Sequence, residues 1–313
     1  MFFALTIFSQ LTALLLMAFV GWLMACTGKL TNEEPLNALL TNGALPALII
    51  ANLQAPYSVA LLREMGLTMV GMSVAVALGW PIGALATRLA GKTGKTKGAW
   101  IACIMFPNAI FMAQPILTAL YGEEVMILLA PITLVFNLCS YIVGSWMLAG
   151  GGSGHNILKQ ILLKPVVFSC FVGLLLFFLP FRLPAAILAT LKMLAATTTP
   201  LSMLTIGCQL ARVSPRELFG DWDVYLLSFL RLVPTAVTIY FVLRLFISDP
   251  TILGVLTICS CMPSAAILPV IAGDRGGDSL LCSKVVFVST LLCVFTVPVI
   301  LQLLLNVESL SLL

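Results

Sequence analysis

Charge is what this sequence is short of. Only 9% of its 313 residues are Asp, Glu, Lys or Arg, and 61% are hydrophobic; a soluble domain carries about 25% charged and 45–50% apolar residues. That balance excludes a soluble globular chain and indicates an integral membrane protein. The net charge of +4 reflects basic residues in short loops between apolar runs, so it is no argument for nucleic acid, and none is expected as a partner. Histidine is nearly absent too. His155 is the single one, which removes Ser–His and Cys–His chemistry from the membrane interior. The nine cysteines are scattered, nearly all within apolar runs, and form no CxxC pair. They read as small helix-packing residues, with no metal or cofactor expected. Acidic residues at mid-membrane are missing as well: all twelve fall in loops or at the ends of apolar runs. Sodium- and proton-coupled carriers commonly rely on such a group, so an obvious ion antiporter is disfavoured. Finally, no Lys or Arg precedes the first apolar run, which far exceeds the 7–15 residues of a signal-peptide core, so it reads as a retained first span.

What is present in quantity is long apolar sequence. A bilayer core needs about 20 such residues per helix, and the chain offers ten stretches: 3–26, 36–54, 64–87, 98–121, 125–149, 164–180, 184–211, 223–246, 251–272 and 279–305. Segment 184–211 is overlong and contains Lys192, which predicts that its first part lies in the interface or is strongly tilted. The loop GGGSGH at 150–155 falls near the midpoint.

Proline spacing reveals a duplication. Pro46 and Pro200 are 154 residues apart, Pro81 and Pro234 153, Pro107 and Pro263 156, and Pro115 and Pro269 154; Gly122-Glu123 and Gly277-Asp278 repeat at 155. The predicted organisation is a first five-helix repeat at 1–149, a short cytosolic linker at 150–163 and a second repeat at 164–313. An odd number of spans per repeat forces the second into the opposite topology. The expected fold is therefore an all-α polytopic membrane protein with ten transmembrane helices in a 5+5 inverted repeat. Ten Lys and Arg residues lie in loops on one side and three on the other, which predicts a cytoplasmic first side and both termini outside.

The fourth segment reads FPNAIFMAQPILTALYGEE and its partner CMPSAAILPVIAGDRGG. Paired proline-interrupted segments in corresponding positions point to a transporter binding site. A helix broken near the midplane frees amide donors at the start of its second half, where the positive end of the dipole also lies. Two such breaks meeting on a pseudo-twofold axis make an anion site. Pro107, Pro115, Pro263 and Pro269 are the predicted crossover or hinge positions. Asn108, Gln114, Asn137 and Ser264 are the candidate substrate-binding residues, each open to the alternative of a helix–helix hydrogen bond. Lys192, Arg231 and Lys284 lie within spans; each either snorkels to an interface or lines the cavity and attracts anions.

At these residues the chain resembles the auxin efflux carrier family, which includes the plant PIN-type carriers and many bacterial homologues. The family's Pro-Asn, second proline, Tyr-Gly and acidic residue are matched by Pro107, Asn108, Pro115, Tyr121, Gly122 and Glu123. LPALIIANL at 45–53 and TPLSMLTIGCQLA at 199–211 add support. The resemblance implies crossing fourth and ninth helices, a scaffold domain and a transport domain, elevator-like alternating access, and small organic anions such as auxin or dicarboxylates as substrates. It maps the crossing-helix Asn onto Asn108. Two departures, a short 150–163 loop and Val166 after Pro165, favour a bacterial-type member of the cell inner membrane and a small carboxylate over auxin. Expected partners are the organic anion, the lipid bilayer and, as a further option, a second copy in a homodimer. Two alternatives stay open: a cation-coupled symporter or antiporter of the related bile-acid or sodium/proton fold, and a membrane sensor without flux. An enzyme is not expected.

Overall fold

The computed structural model describes residues 2–30, 32–54, 58–150, 164–179, 182–211 and 220–305. Most of the 150–163 linker, with His155, lies outside them. The described residues are helical and contain no strand. In chain order the helices are α1 (Phe2–Cys26), α2 (Glu34–Leu39), α3 (Leu45–Asn52), α4 (Val59–Leu89), α5 (Gly94–Met105), α6 (Ala113–Tyr121), α7 (Met126–Cys139) and α8 (Ser145–Leu148). They continue as α9 (Pro165–Phe178), α10 (Ala185–Ala196), α11 (Thr198–Ala211), α12 (Trp222–Leu230), α13 (Ala236–Arg244), α14 (Pro250–Cys261), α15 (Leu268–Asp274) and α16 (Ser279–Leu304). Side chains written into the sequence set several starts. Ser58 accepts from the Leu61 amide at 3.1 Å, Asp249 from Thr251 and Ile252 at 2.9 Å, and Asp278 from Leu281 at 3.0 Å. Each satisfies amides that a first turn leaves without an intrahelical partner.

Six helical stretches among the described residues are long and apolar enough to cross a bilayer: Leu5–Cys26, Val59–Leu89, Glu123–Leu148, Ala185–Ala211, Trp222–Arg244 and Ser279–Leu304. The other four expected segments fall short of that measure, for visible reasons. Segment 98–121 is divided between α5 and α6, and 251–272 between α14 and α15. At 1.5 Å per residue, α5 is about 18 Å long and α6 about 14 Å, so neither alone spans a hydrocarbon core of about 30 Å. Segment 36–54 carries a π turn at Leu40–Ala44 between α2 and α3, and α9 is a short apolar helix.

Two packing groups follow from where small residues sit. In one, α1 lies along α11, and α3 touches α9 and α10. A Cβ on Gly207 would stand 1.9 Å from the Ala18 carbonyl oxygen, and one on Gly21 2.3 Å from that of Leu204. Only glycine permits that approach, the usual device where helices pack in lipid. In the other group α4 packs on α5 and α7, while α16 receives α12 and α15. Here a Cβ on Gly79 would meet the Met105 Cα at 2.6 Å, and one on Gly83 the Ile101 Cα at 2.9 Å. The two groups meet where α1 packs on α16 and touches α6, and the second encloses the two short-helix pairs, whose interruptions are buried.

Candidate functional site

The two interruptions touch each other through backbone. Phe106 (φ −105°, ψ 108°) and Met262 (φ −67°, ψ 152°) are extended, and Pro107 and Ser264 form an isolated antiparallel bridge. The Asn108 amide donates to the Pro263 carbonyl at 2.7 Å, and the Ala265 amide to the Phe106 carbonyl at 3.0 Å. Proline explains why a helix stops here: it has no N–H to continue the ladder. The carbonyl that Pro107 would have served is that of Cys103, four residues back. The Ser264 hydroxyl from the opposite segment donates to it at 2.8 Å. The Ser264 amide, itself lost to the α14 ladder, donates to Ser289 Oγ at 3.2 Å. Ser264 is thus fully buried and engaged with both α5 and α16.

Arg231 serves three further carbonyls at the ends of α5 and α14. Its Nη1 donates to Ile104 at 3.0 Å, Nη2 to Ser260 at 2.6 Å and Nε to Met262 at 3.2 Å. The guanidinium is 0% exposed. It stands where the negative ends of two short helices converge, so its charge opposes both dipoles. Local sequence puts it there. Pro234 cannot donate to the Leu230 carbonyl four residues back, the ladder shifts to the wider i→i+5 spacing of a π turn at Arg231–Thr235, and the Thr235 hydroxyl also donates to that carbonyl at 2.7 Å. The sequence signal is an arginine inside the apolar run LSFLRLVPTAV. Nothing in that run announces that its partners are backbone carbonyls.

The other candidates are placed as follows. Asn108 is 2% exposed, and its amide nitrogen Nδ2 has no hydrogen-bond partner among the described residues. Asn137 is buried on α7, and its Nδ2 donates to the Thr133 carbonyl one turn back at 2.8 Å; no hydrogen bond joins it to Asn108 among the described residues. Gln114 sits in the first turn of α6 with Oε1 buried and unpartnered among the described residues. Pro115 and Pro269 do not lie in the interruptions. They occupy the first turns of α6 and α15, where a missing N–H forfeits no intrahelical bond. Lys284 on α16 pairs with Asp221 at 3.3 Å, and exposed Lys192 lines a cavity away from the crossing.

That cavity has a volume of about 920 Å³ and is bounded by α3, α4, α6, α7 and α10. Gln114 and Tyr121 line it, and the Tyr121 hydroxyl, like Gln114 Oε1, is buried without a partner among the described residues. A smaller cavity of about 120 Å³ lies beside α15, between Asn42, Tyr141, Lys164 and Asp274. The larger cavity is lined from α6 and the smaller from α15, the helices that follow the two interruptions. Unpaired polar atoms in the wall of a large cavity are groups that a polar ligand would satisfy. No cluster of His, Cys, Asp and Glu suited to a metal occurs among the described residues.

Comparison with known proteins adds a family to this geometry. A transporter of Methanothermobacter thermautotrophicus, itself uncharacterised, is 26% identical over 294 residues, covering 91% of this chain and 94% of the relative. An uncharacterised transporter of Methanocaldococcus jannaschii is 27% identical over 199 residues, covering 62% and 64%. The family model described as membrane transport protein matches residues 6–301. The chain therefore belongs to that family, the auxin efflux carrier family of membrane transporters, and is an integral membrane protein.

Proposed function

We propose that this protein is a secondary transporter of small organic anions, with the paired short helices forming the carrier's two broken spans. On this reading α5–α6 and α14–α15 are the fourth and ninth of ten spans in a 5+5 inverted repeat, with both termini outside a bacterial inner membrane. The group around the crossing moves against α1–α3 and α9–α11 in an elevator-like cycle. What carries the reading is the Asn108 side-chain nitrogen Nδ2, buried without a partner among the described residues beside a crossing of proline-terminated helices. An unpaired buried donor costs about 1–3 kcal/mol, a cost that a bound carboxylate oxygen would remove. The positive end of the α6 dipole works in the same direction. Gln114, six residues after Asn108, lines the large cavity, which supports entry or exit of substrate on the side away from the Lys/Arg-rich loops.

The test is uptake into proteoliposomes of a labelled dicarboxylate and of an indole carboxylate, with wild type and Asn108→Ala side by side. Transport is expected for the wild type and a loss of at least about tenfold for the variant, the equivalent of one good charge-assisted hydrogen bond. Equal rates would remove Asn108 from the site; no flux of any carboxylate would remove the anion. A cation-coupled carrier has one observation in its favour. Glu64, Glu123 and Glu124 line the large cavity against a single Lys192, a balance that attracts cations. Replacing sodium by choline, and separately collapsing the pH gradient, distinguishes the two: a requirement for either ion would establish coupling.

A further inference from the structure

We propose that Arg231 is a built-in cation of the crossing: its guanidinium occupies a cradle of backbone carbonyls that would otherwise suit a small metal cation, so the fold has no need of bound sodium. Three oxygens, those of Ile104, Ser260 and Met262, converge from two helix ends within 2.6–3.2 Å of its nitrogens. Carbonyls at the ends of interrupted membrane helices are the groups with which carriers coordinate sodium. Here each is already satisfied by a planar fork whose geometry a point charge does not reproduce. No carboxylate pairs with Arg231 among the described residues, so the charge that it answers is that of the two helix ends. Nor is the guanidinium a wall of either cavity described above. A fully buried cation in that position holds α5 and α14 as one unit, a positioning role independent of which substrate is carried.

This yields a readout that mere packing would not move. The unfolding midpoint of the purified full chain is measured at constant ionic strength in choline, sodium and millimolar guanidinium chloride, for wild type, Arg231→Ala and Arg231→Lys. The wild type is expected to show no saturable response to sodium. Arg231→Ala is expected to melt about 10 °C lower, the scale for losing several buried hydrogen bonds in a chain of this size. Guanidinium or sodium, but not choline, should restore a good part of that loss. Arg231→Lys, which keeps a charge but not the fork, should fall between the two and ignore sodium. Saturable stabilisation of the wild type by sodium would overturn the proposal, because it would reveal a separate cation site. So would an Arg231→Ala chain as stable as wild type, or one whose loss no small cation repairs. Should Arg231→Ala not be recovered folded, the wild-type sodium titration and the Arg231→Lys midpoint decide: a sodium response in either sinks the idea, and its absence in both supports it.

Discussion

On one side of the crossing α4 lies against α5 through Gly79 and Gly83, where a methyl group would already collide with the backbone of Met105 and Ile101. On the other side α12 and α13 reach it through Arg231. The proline spacing that relates Pro81 to Pro234 also relates Leu78 to Arg231. The two regions therefore share a proline at matching positions, inside a continuous α-helix at Pro81 and a π turn at Pro234, but brace the crossing by opposite means: close contact without side chains, and one long charged side chain. The difference has a physical reason. Both helix ends that need a cation point their carbonyls at the same spot, so one guanidinium serves both. A second, from position 78, would bring two like charges together in a low dielectric.

The largest expected effect comes from removing the charged brace while keeping its volume. Arg231→Met leaves three carbonyls without donors in the protein interior. With roughly 1–3 kcal/mol for each unsatisfied group, partly relieved by relaxation, the loss should be about 3–5 kcal/mol. Thermal unfolding in detergent checks it, and a change below about 1 kcal/mol would mean that the carbonyls find other donors. The glycine brace comes second. Gly79→Ala forces a Cβ to within 2.6 Å of the Met105 Cα, and overpacking against backbone costs about 1–3 kcal/mol. Gly66→Ala on the same helix meets nothing within 4 Å. It should instead stabilise by about 0.5–1 kcal/mol, because alanine suits a helix interior better than glycine. Opposite signs from two Gly→Ala changes in α4 would establish that contact with α5, not helix propensity, governs the face.

Below these stands Ser264→Ala. It removes the hydroxyl that serves the Cys103 carbonyl at 2.8 Å but leaves the Ser264 amide bonded to Ser289. A loss of about 1 kcal/mol is expected, the net worth of one buried hydrogen bond. Ser264→Cys, with a weaker donor, should fall between alanine and serine.

How much of this was legible beforehand depended on whether backbone or side chain was involved. Pro107 and Pro263 mark where helical hydrogen bonding stops, because the chemistry of a missing N–H is local and written in one letter. The offset between them also named the two segments that touch. Pro115 and Pro269 look identical in the sequence, yet they sit in first turns, where the same missing N–H has no consequence. A residue letter does not distinguish the two settings; the position of the previous helix end does. Arg231 was visible as a charge in an apolar run, and both snorkelling and cavity lining were open to it. Its partners are carbonyls, which every residue carries, so no pattern of side chains could point to them. Ser264 behaves similarly, its partner being the carbonyl that Pro107 orphaned. Polar side chains of the crossing thus divide into those that answer the backbone and those that answer nothing among the described residues.

Asn108 belongs to the second kind, and it gives the smallest thermal effect and the sharpest contrast with Arg231. Its backbone amide holds the Pro263 carbonyl at 2.7 Å, a bond that alanine retains. Its side-chain nitrogen has no hydrogen-bond partner among the described residues. Asn108→Ala should therefore shift stability by no more than about 0.5 kcal/mol, or raise it, since a buried unpaired donor is removed. Asn137→Ala makes the matched control: it deletes a real bond, Nδ2 to the Thr133 carbonyl, and should cost about 0.5–1 kcal/mol. If Asn108 were glue between helices, the order of these two would reverse. A chain that melts like wild type yet has lost carboxylate flux would separate the residue that binds substrate from the arginine and serine that hold the crossing around it.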